Sequence, residues 1–463
     1  MRSAPPVQRP ASDKKPGPAT RDGAGERPGL AARVAASRLL AAVIDAGTPL
    51  DGLTDDGHGH VLYRALDPRD RSLVRAILLS ALRHRGTITA ILEKRLDRPL
   101  PQKAHTLSHI LHVAAAQILY LDVPDSAAVD LAVSHASSDP RTRRFAPLVN
   151  AVLRTIIRKA KPNLPAIAAK TMDAPQWFNA RLVGDYGDET AAAILKMHRH
   201  EAPVDFTVKG DPAQWAEELG GIVVPSGSIR VARPKAPISE LPGYAEGAWW
   251  VQDAAAALPA RLMGDVAGKR VADLCAAPGG KTAQLIMAGA DVTAIDISAN
   301  RLKRLAANLE RLGLEAQIIA SDLRTYQPEA LFDAVLLDAP CSATGTVRRH
   351  PDVMWTKSPE MIDRLAGIQR ELLGHAVRLV KPGGTVIFAN CSLAKQEGEE
   401  LIAAFVEEHQ NVTLVPADPG LIDDAIGFID ASGFLRTTPA DWAFDTPALS
   451  GLDGFFSAQL KRA

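Results

Sequence analysis

Apolar residues recur every three to four positions through residues 30–160, the spacing of one face of a helix. In "DRSLVRAILLSALRHR" they are Leu73, Val74, Ile77, Leu78 and Ala81, with Arg71 and Arg75 on another face. "PLVNAVLRTIIRK" repeats the arrangement. Leu148, Val149, Val152, Leu153, Ile156 and Ile157 form its stripe, and Asn150, Arg154 and Arg158 recur opposite. Pro140 and Pro147 punctuate the connection. The pattern predicts an all-α domain over residues 30–161 with arginine-bearing outer faces.

Residues 162–250 read as a small mixed α/β region. "PQWFNARLVGDY" and "DETAAAILKMHR" have helical spacing, while "VDFTVKG" and "SIRVAR" suit short strands. From about residue 268 the period changes. "RVADLC", "DVTAIDI", "AQIIASDL", "FDAVLLDA" and "TVIFANC" are apolar runs separated by helical stretches. Ser298 fits the cap of "ANRLKRLAANLERLG", whose Leu302, Leu305, Leu309 and Leu312 share a side and which ends at Gly313. Ser358 and Pro359 suit the cap and first turn of a later helix, and "KPGG" at 381–384 a tight turn into the last buried strand. Alternating β and α elements with continuously apolar strands predict an α/β domain over residues 251–463. Its sheet should be mostly parallel and covered on both faces. "VTLVPA" and "GFFSAQLKR" are expected to close one edge as an antiparallel pair.

At 463 residues, with 46% hydrophobic and 23% charged positions, the chain can bury sizeable cores in roughly three domains. Residues 1–29 are rich in Pro, Gly and charge without an apolar segment, which predicts a disordered tail and not a secretion signal. No apolar run approaches the ~18 residues of a membrane helix. The best candidate, "ILHVAAAQILYL", is interrupted by His112 and Gln117. A cytoplasmic protein without a membrane partner is therefore expected. The formal net charge of zero hides a split: residues 1–161 carry 25 Lys/Arg against 15 Asp/Glu, and residues 162–463 carry 28 against 38. A basic module joined to an acidic one suggests a polyanionic partner for the first. The three cysteines, Cys275, Cys341 and Cys391, are odd in number and lack metal-ligand spacing, which argues against disulfides and zinc. "HGH" at 58–60 and "HRH" at 198–200 read as surface histidines, so no metal is expected.

Each cysteine instead lies in a Gly-, Pro- or Asp-rich loop after an expected strand, and ligands of such sheets bind at the carboxyl ends of strands. The first strand ends in "DLCAAPGGKT", which lacks the spacings of a dinucleotide or Walker loop. Gly279 and Gly280 would let a ligand approach the backbone. The second strand ends at Asp296, suited to two ribose hydroxyls, and the third at Asp322, suited to an adenine edge. Two carboxylates and a glycine loop fit an adenosine without phosphate, and S-adenosylmethionine is such a ligand. A methyl donor beside two thiols points to carbon 5 of a pyrimidine. That carbon becomes nucleophilic only after a thiolate adds to carbon 6. Asp338 could hold the amino edge of a cytosine, and Lys281 is a candidate for lowering a thiol pKa. The residues alone lean towards Cys341, which follows a Pro, as the attacking thiol, without deciding it against Cys391.

"DLCAAPGGKT", "AIDIS", "SDL", "LLDAPCSATGTVRRHPDVMW", "ANCSL" and "DGFFSAQLKR" resemble, in order, the RNA 5-methylcytosine methyltransferases of the Sun/Nop group. The helical region with "LVNAVLR" is similar to the NusB-like domain found in that group's bacterial small-subunit rRNA branch, the RsmB type. The resemblance implies a Rossmann-like class I methyltransferase domain preceded by an all-α NusB-like domain, acting as a monomer on 16S rRNA with S-adenosylmethionine as cofactor. It implies Cys391 as nucleophile and Cys341 as an aid to product release. It also implies cofactor contacts from Cys275, Ala276, Ala277, Pro278, Gly279, Gly280 and Lys281, and from Asp296, Asp322 and Asp338. Asn390 departs from the Thr usual in the group, and "APVDFTVK" departs from a stretch where relatives carry an RNA-contacting Arg. Arg71, Arg75, Arg154, Arg158, Arg348 and Arg349 are the candidate phosphate contacts. The rival readings are the same chemistry on tRNA, or an RNA-binding or antitermination scaffold without catalysis. Two strand-end thiols count against the scaffold.

Overall fold

The structure, a computed structural model, describes residues 27–96, 98–101, 104–421 and 427–463. Up to residue 26, the expected tail lies outside the described residues. Capping sets where the amino-terminal helices begin and stop. Asp67 accepts the Asp70 N–H at 2.7 Å and Pro68 opens the helix Pro68–Arg83, while Gly47, with φ 64°, closes Leu30–Ala46. With Arg85–Glu93, His105–Tyr120, Asp125–Ser138 and Ala146–Thr155 these build the expected all-α region. Val74, Ile77, Leu78, Ala81, Val149, Val152, Leu153 and Ile156 meet in its core. The most apolar stretch forms the buried central helix His105–Tyr120, whose Gln117 accepts Arg33 Nε–H at 2.9 Å. No helix among the described residues is long and apolar enough to cross a membrane.

The two helices expected after residue 170 are present within Gln176–His198, parted by a kink at Gly187, whose φ of 78° and ψ of 167° are not helical. A small antiparallel sheet follows, of β1 (Val204–Val208), β2 (Ile222–Val223), β3 (Ile229–Val231) and β4 (Trp249–Val251), in the order β2-β3-β1-β4. The helix Pro212–Leu219 between β1 and β2 was not expected. Asp211 caps it and Gly220, at φ 68°, ends it.

The large sheet contains β5 (Arg270–Leu274), β6 (Asp291–Asp296), β7 (Gln317–Ala320), β8 (Phe332–Asp338), β9 (Val380–Asn390), β10 (Val412–Val415), β11 (Leu435–Thr437) and β12 (Phe455–Arg462). Its order is β10-β12-β9-β8-β5-β6-β7, with β11 on β12. Strands β5 to β9 pair in parallel, and β12 runs antiparallel between β9 and β10, as the edge pattern predicted. Along β8, Val335 and Leu337 enter one core cluster and Ala334 and Leu336 the other, which explains the uninterrupted apolar run. Within β9 the "KPGG" stretch slips the register from Phe332–Val380 to Ala334–Thr385. The chain leaves β5 towards β6 and β7, then returns to β8 on the other flank. That reversal opens a crevice at the carboxyl ends of β5 and β8.

Between β8 and the next long helix, residues 348–355 seat the helical region. Leu50 N–H donates to Asp352 Oδ2 at 2.9 Å, Arg83 Nη2–H to the Arg348 carbonyl at 2.8 Å, and Trp355 Nε1–H to the Leu82 carbonyl at 3.1 Å. Three arginines expected to meet phosphate are thereby corrected. Arg348 is buried, with Nη2 donating to the Ser450 and Glu201 carbonyls. Arg349 is held between Asp253 and Asp453 and donates to the Pro203 carbonyl. Arg71 donates to the Leu66 and Arg64 carbonyls and pairs with Asp56. Arg75, Arg154 and Arg158 are exposed. The "HRH" reading is also corrected: His198 is buried against Phe178, and burial presses its pKa down to about 3.

Candidate active site

Strand ends set the site. Leu274 ends β5, and Cys275 follows in the left-handed region at φ 60°, rare for a residue with a Cβ and frequent where backbone strain serves a site. The Ala276 N–H then donates to the Ile295 carbonyl, which anchors the loop to the end of β6. Gly279, at φ 103°, turns the chain into the helix Gly280–Met287. A Cβ on Gly279 would stand 2.9 Å from Leu305 Cγ, so the loop packs on its neighbour only with glycine there.

The loop divides two cavities. Cys275, Asp296, Asp322, Asp338, Cys341 and Cys391 line one of about 430 Å³. Ala276, Pro278, Gly279, Gly280 and Lys281 line another of about 410 Å³, which shares Asp338. Ala277 is buried and donates its N–H to Asp296 Oδ2 at 3.3 Å. All twelve residues expected at the site thus gather at the ends of β5, β6, β7, β8 and β9.

In the first cavity Asp296 is 1% exposed. Its Oδ1 accepts the Ser298 N–H at 2.9 Å, and its Oδ2 pairs with Arg301 at 3.1 Å. Asp322 sits nearer solvent with Arg324 beside it, whose hydrogen bonds hold its carboxyl down at about 2. Burial, then Asp338 and Asp296, push the Cys275 thiol up to about 12, so it stays neutral. Ile297, 68% exposed, and Ile368 add apolar wall between the carboxylates. Carboxylates with spare lone pairs, a neutral thiol and apolar walls suit a ribose and a flat base without phosphate, so the residues present fit the expected cofactor.

Asp338 ends β8 and faces both cavities. Its Oδ2 accepts from Lys281 Nζ at 2.8 Å. Burial opposes the Lys281 ammonium, but Asp338 outweighs it and raises the pKa, so Lys281 stays charged. Just beyond, Cys341 Sγ and Cys391 Sγ stand 3.5 Å apart. The hydrogen bond with Cys391 and burial push the Cys341 thiol well above its ordinary pKa. Cys341 therefore remains a thiol, able to donate S–H to its neighbour.

Several residues at the site were not read from the sequence. Asp273, buried before the loop, accepts the Thr282 hydroxyl at 2.6 Å, and burial raises its pKa to about 7. Glu397, Ser342, Ser392 and Gln369 form a buried network behind the thiols. Asn390, the departure noted before Cys391, joins it: Nδ2 donates to the Glu397 carbonyl at 2.6 Å and Oδ1 accepts the Ser392 N–H at 3.0 Å. Tyr186, just before the kink at Gly187, donates to the Leu393 carbonyl at 2.6 Å. Among the described residues no His, Cys, Asp and Glu cluster could hold a metal ion.

Comparison with known proteins agrees with this architecture. Residues 261–461 match the family described as 16S rRNA methyltransferase RsmB/F, and residues 30–158 match the NusB family. The ribosomal RNA small subunit methyltransferase B of Xanthomonas campestris is 35% identical, covering 94% of this chain and 98% of its own. That of Xylella fastidiosa strain 9a5c is 36% identical, covering 92% and 99%. The crystal structure of PH0851 superposes with a TM-score of 0.69 at 24% identity, covering 94% of this chain and 99% of its own. NSun6 from Pyrococcus horikoshii, solved with SFG, gives 0.52 at 18% identity, covering 62% and 98%. With relatives of that identity along nearly its whole length, the chain belongs to the RsmB/F family of S-adenosylmethionine-dependent rRNA methyltransferases, in the branch that carries a NusB-family region ahead of the catalytic sheet.

Proposed function

We propose that this protein methylates carbon 5 of a cytosine in small-subunit rRNA through a transient bond between Cys391 Sγ and carbon 6. The observation that carries the reading is the thiol pair, 3.5 Å apart at the ends of β8 and β9, opening on the cavity that also holds Asp296, Asp322 and Asp338. S-adenosylmethionine, when bound, supplies a methyl group on a sulfonium. Asp296 and Asp322 would hold its adenosine, with the loop Cys275–Lys281 as the floor.

The chain's own residues do the rest. Cys391, as thiolate, adds to carbon 6 and makes carbon 5 electron-rich enough to take the methyl group. Asp338 accepts a hydrogen bond from the cytosine amino group while Lys281 Nζ holds its carboxylate in place. The carbon 5 proton then passes to water, the electron pair re-forms the ring double bond, and the carbon 6–sulfur bond breaks. Cys341 donates its S–H to the departing Cys391 sulfur. The high pKa of Cys341 supports this assignment of roles, since a thiol kept protonated can donate and cannot attack. A splayed-out, unpaired cytosine suits a site at the bottom of a crevice, and an rRNA substrate implies a cytoplasmic workplace.

Nucleoside mass spectrometry of rRNA methylated in vitro tests this. The purified protein should convert one cytosine of small-subunit rRNA to 5-methylcytosine, and C391A should convert none while still binding the RNA. Methylation of another atom, of tRNA instead, or by C391A would overturn it.

A further inference from the structure

Behind the two thiols lies a carboxylate that the reaction scheme above leaves unused. Glu397 is fully buried, in the turn Lys395–Glu397 that follows Cys391. Its Oε1 accepts the Ser342 N–H at 2.9 Å and Gln369 Nε2–H at 2.7 Å. Its Oε2 accepts the Ser342 and Ser392 hydroxyls, each at 2.5 Å. Gln369 Nε2 also donates to the Pro340 carbonyl at 3.0 Å, and Asn390 Nδ2 to the Glu397 carbonyl at 2.6 Å. The residues flanking Cys341, Pro340 and Ser342, are therefore tied to the same glutamate as those flanking Cys391, Asn390 and Ser392.

A carboxylate buried without donors would take up a proton or unfold its surroundings. Four donors to one carboxylate, drawn from three separate segments, are a clamp. Two neighbouring strands fix only the directions of their loops. The loops themselves carry the sulfur atoms, and side-chain bonds decide how far apart those atoms sit. Further links join the loops directly: Ala339 N–H to the Ala389 carbonyl at 2.8 Å, Gly345 N–H to the Cys391 carbonyl at 2.9 Å, Leu393 N–H to Thr344 Oγ1 at 2.9 Å, and the Ser342 and Ser392 hydroxyls 3.0 Å apart.

We propose that Glu397 is a positioning residue: its buried carboxylate holds the Cys341 and Cys391 loops together so that Cys341 can serve the release of the methylated base. The proposal rests on the cytosine reading above. The negative charge of Glu397 also adds to the effects that keep Cys341 protonated, after the Cys391 hydrogen bond and burial.

The test uses the full chain in three forms: wild type, E397A and the double variant S342A/S392A. Cooperative thermal unfolding establishes that each is folded, and the double variant keeps the carboxylate should E397A fail to fold. The first readout needs no RNA. Phenylarsine oxide bridges two thiols at close range, so the wild type should bind it through Cys341 and Cys391, and the variants should bind at least ~10-fold more weakly. The second readout separates steps. Methyl transfer in the first turnover should persist, while steady-state turnover falls by roughly 10²-fold, the scale of a lost proton-donating group. A protein–RNA species that survives denaturant should accumulate at the same time. A folded variant that bridges the arsenical like wild type and accumulates no such species overturns the proposal. So does an equal fall in first and later turnovers, which a general loss of site structure would give. Failure of the parent reading looks different: the wild type then makes no 5-methylcytosine, and the arsenical comparison alone decides whether Glu397 positions the thiols.

Discussion

Two thiolates 3.5 Å apart would repel by about 5 kcal/mol at an effective dielectric constant of ~20, so Cys341 and Cys391 share one charge at most. The Cys391 hydrogen bond and burial hold the Cys341 thiol well above its ordinary pKa, so in the proposed scheme two residues of one chemical type divide the labour. Removing the proton-keeping member should leave the first step intact and spoil the last. C341A should transfer a methyl group once and then remain bonded to RNA through Cys391, visible as a shifted band on a denaturing gel. Without that band, Cys341 has no part in release. Residues of this kind were legible in the sequence because short motifs at strand ends announce them. Glu397 was not, because in "AKQEGEE" it stands among other acids at a helix start, where a solvated carboxylate is the ordinary expectation. Only the fold turns it inward. Arg348 and Arg349 show the reverse: charge suggested phosphate contact, but burial against carbonyls and Asp253 and Asp453 makes them struts.

Elements long enough to show several turns of periodicity, such as Ala146–Thr155 and Ala299–Leu312, were recovered from spacing alone. The pieces that escaped are short. β2 has two residues and β4 three, too few to display alternation, and the helix Pro212–Leu219 is identified by its caps more than by its stripe. The small sheet these pieces belong to holds a buried ion pair whose arginine also reaches the chain segment before β12. Asp205 of β1 receives Arg230 Nε–H and Nη2–H of β3 at 2.7 Å each, both side chains fully buried. Arg230 Nη1–H reaches on to the Leu449 and Gly451 carbonyls at 3.0 and 2.7 Å. Asp205 lies in the "APVDFTVK" stretch, and its acid serves packing. D205A leaves a buried guanidinium short of its counter-charge and should cost about 3–5 kcal/mol in urea unfolding. Adding R230M should recover part of that loss. A single-variant cost under ~1 kcal/mol would mean that the arginine escapes to solvent once released.

At the scale of the whole molecule, the charge division between residues 1–161 and the rest coincides with a division of architecture, helices against sheets. The helical region cannot simply be cut away to ask what its charge does, because Leu82, Arg83 and Leu50 bond directly to residues 348–355, and deletion would strip that surface. Exposed arginines offer a cleaner question. Arg75, Arg154 and Arg158 lie on the surface of folded helices, so R75Q, R154Q and R158Q together should leave stability nearly unchanged. Each cation that neutralises a backbone phosphate releases condensed counterions, and its loss lowers the slope of log affinity against log salt by about 0.9 on duplex RNA-like charge densities and ~0.7 on single strands. If all three touch rRNA, the slope measured by titration at several salt concentrations should fall by roughly 2–3. Methyl transfer at saturating RNA should be unaffected, because none of the three lies at the carboxyl ends of the sheet. An unchanged slope would mean that these arginines only solvate their helices, and that the RNA is gripped elsewhere.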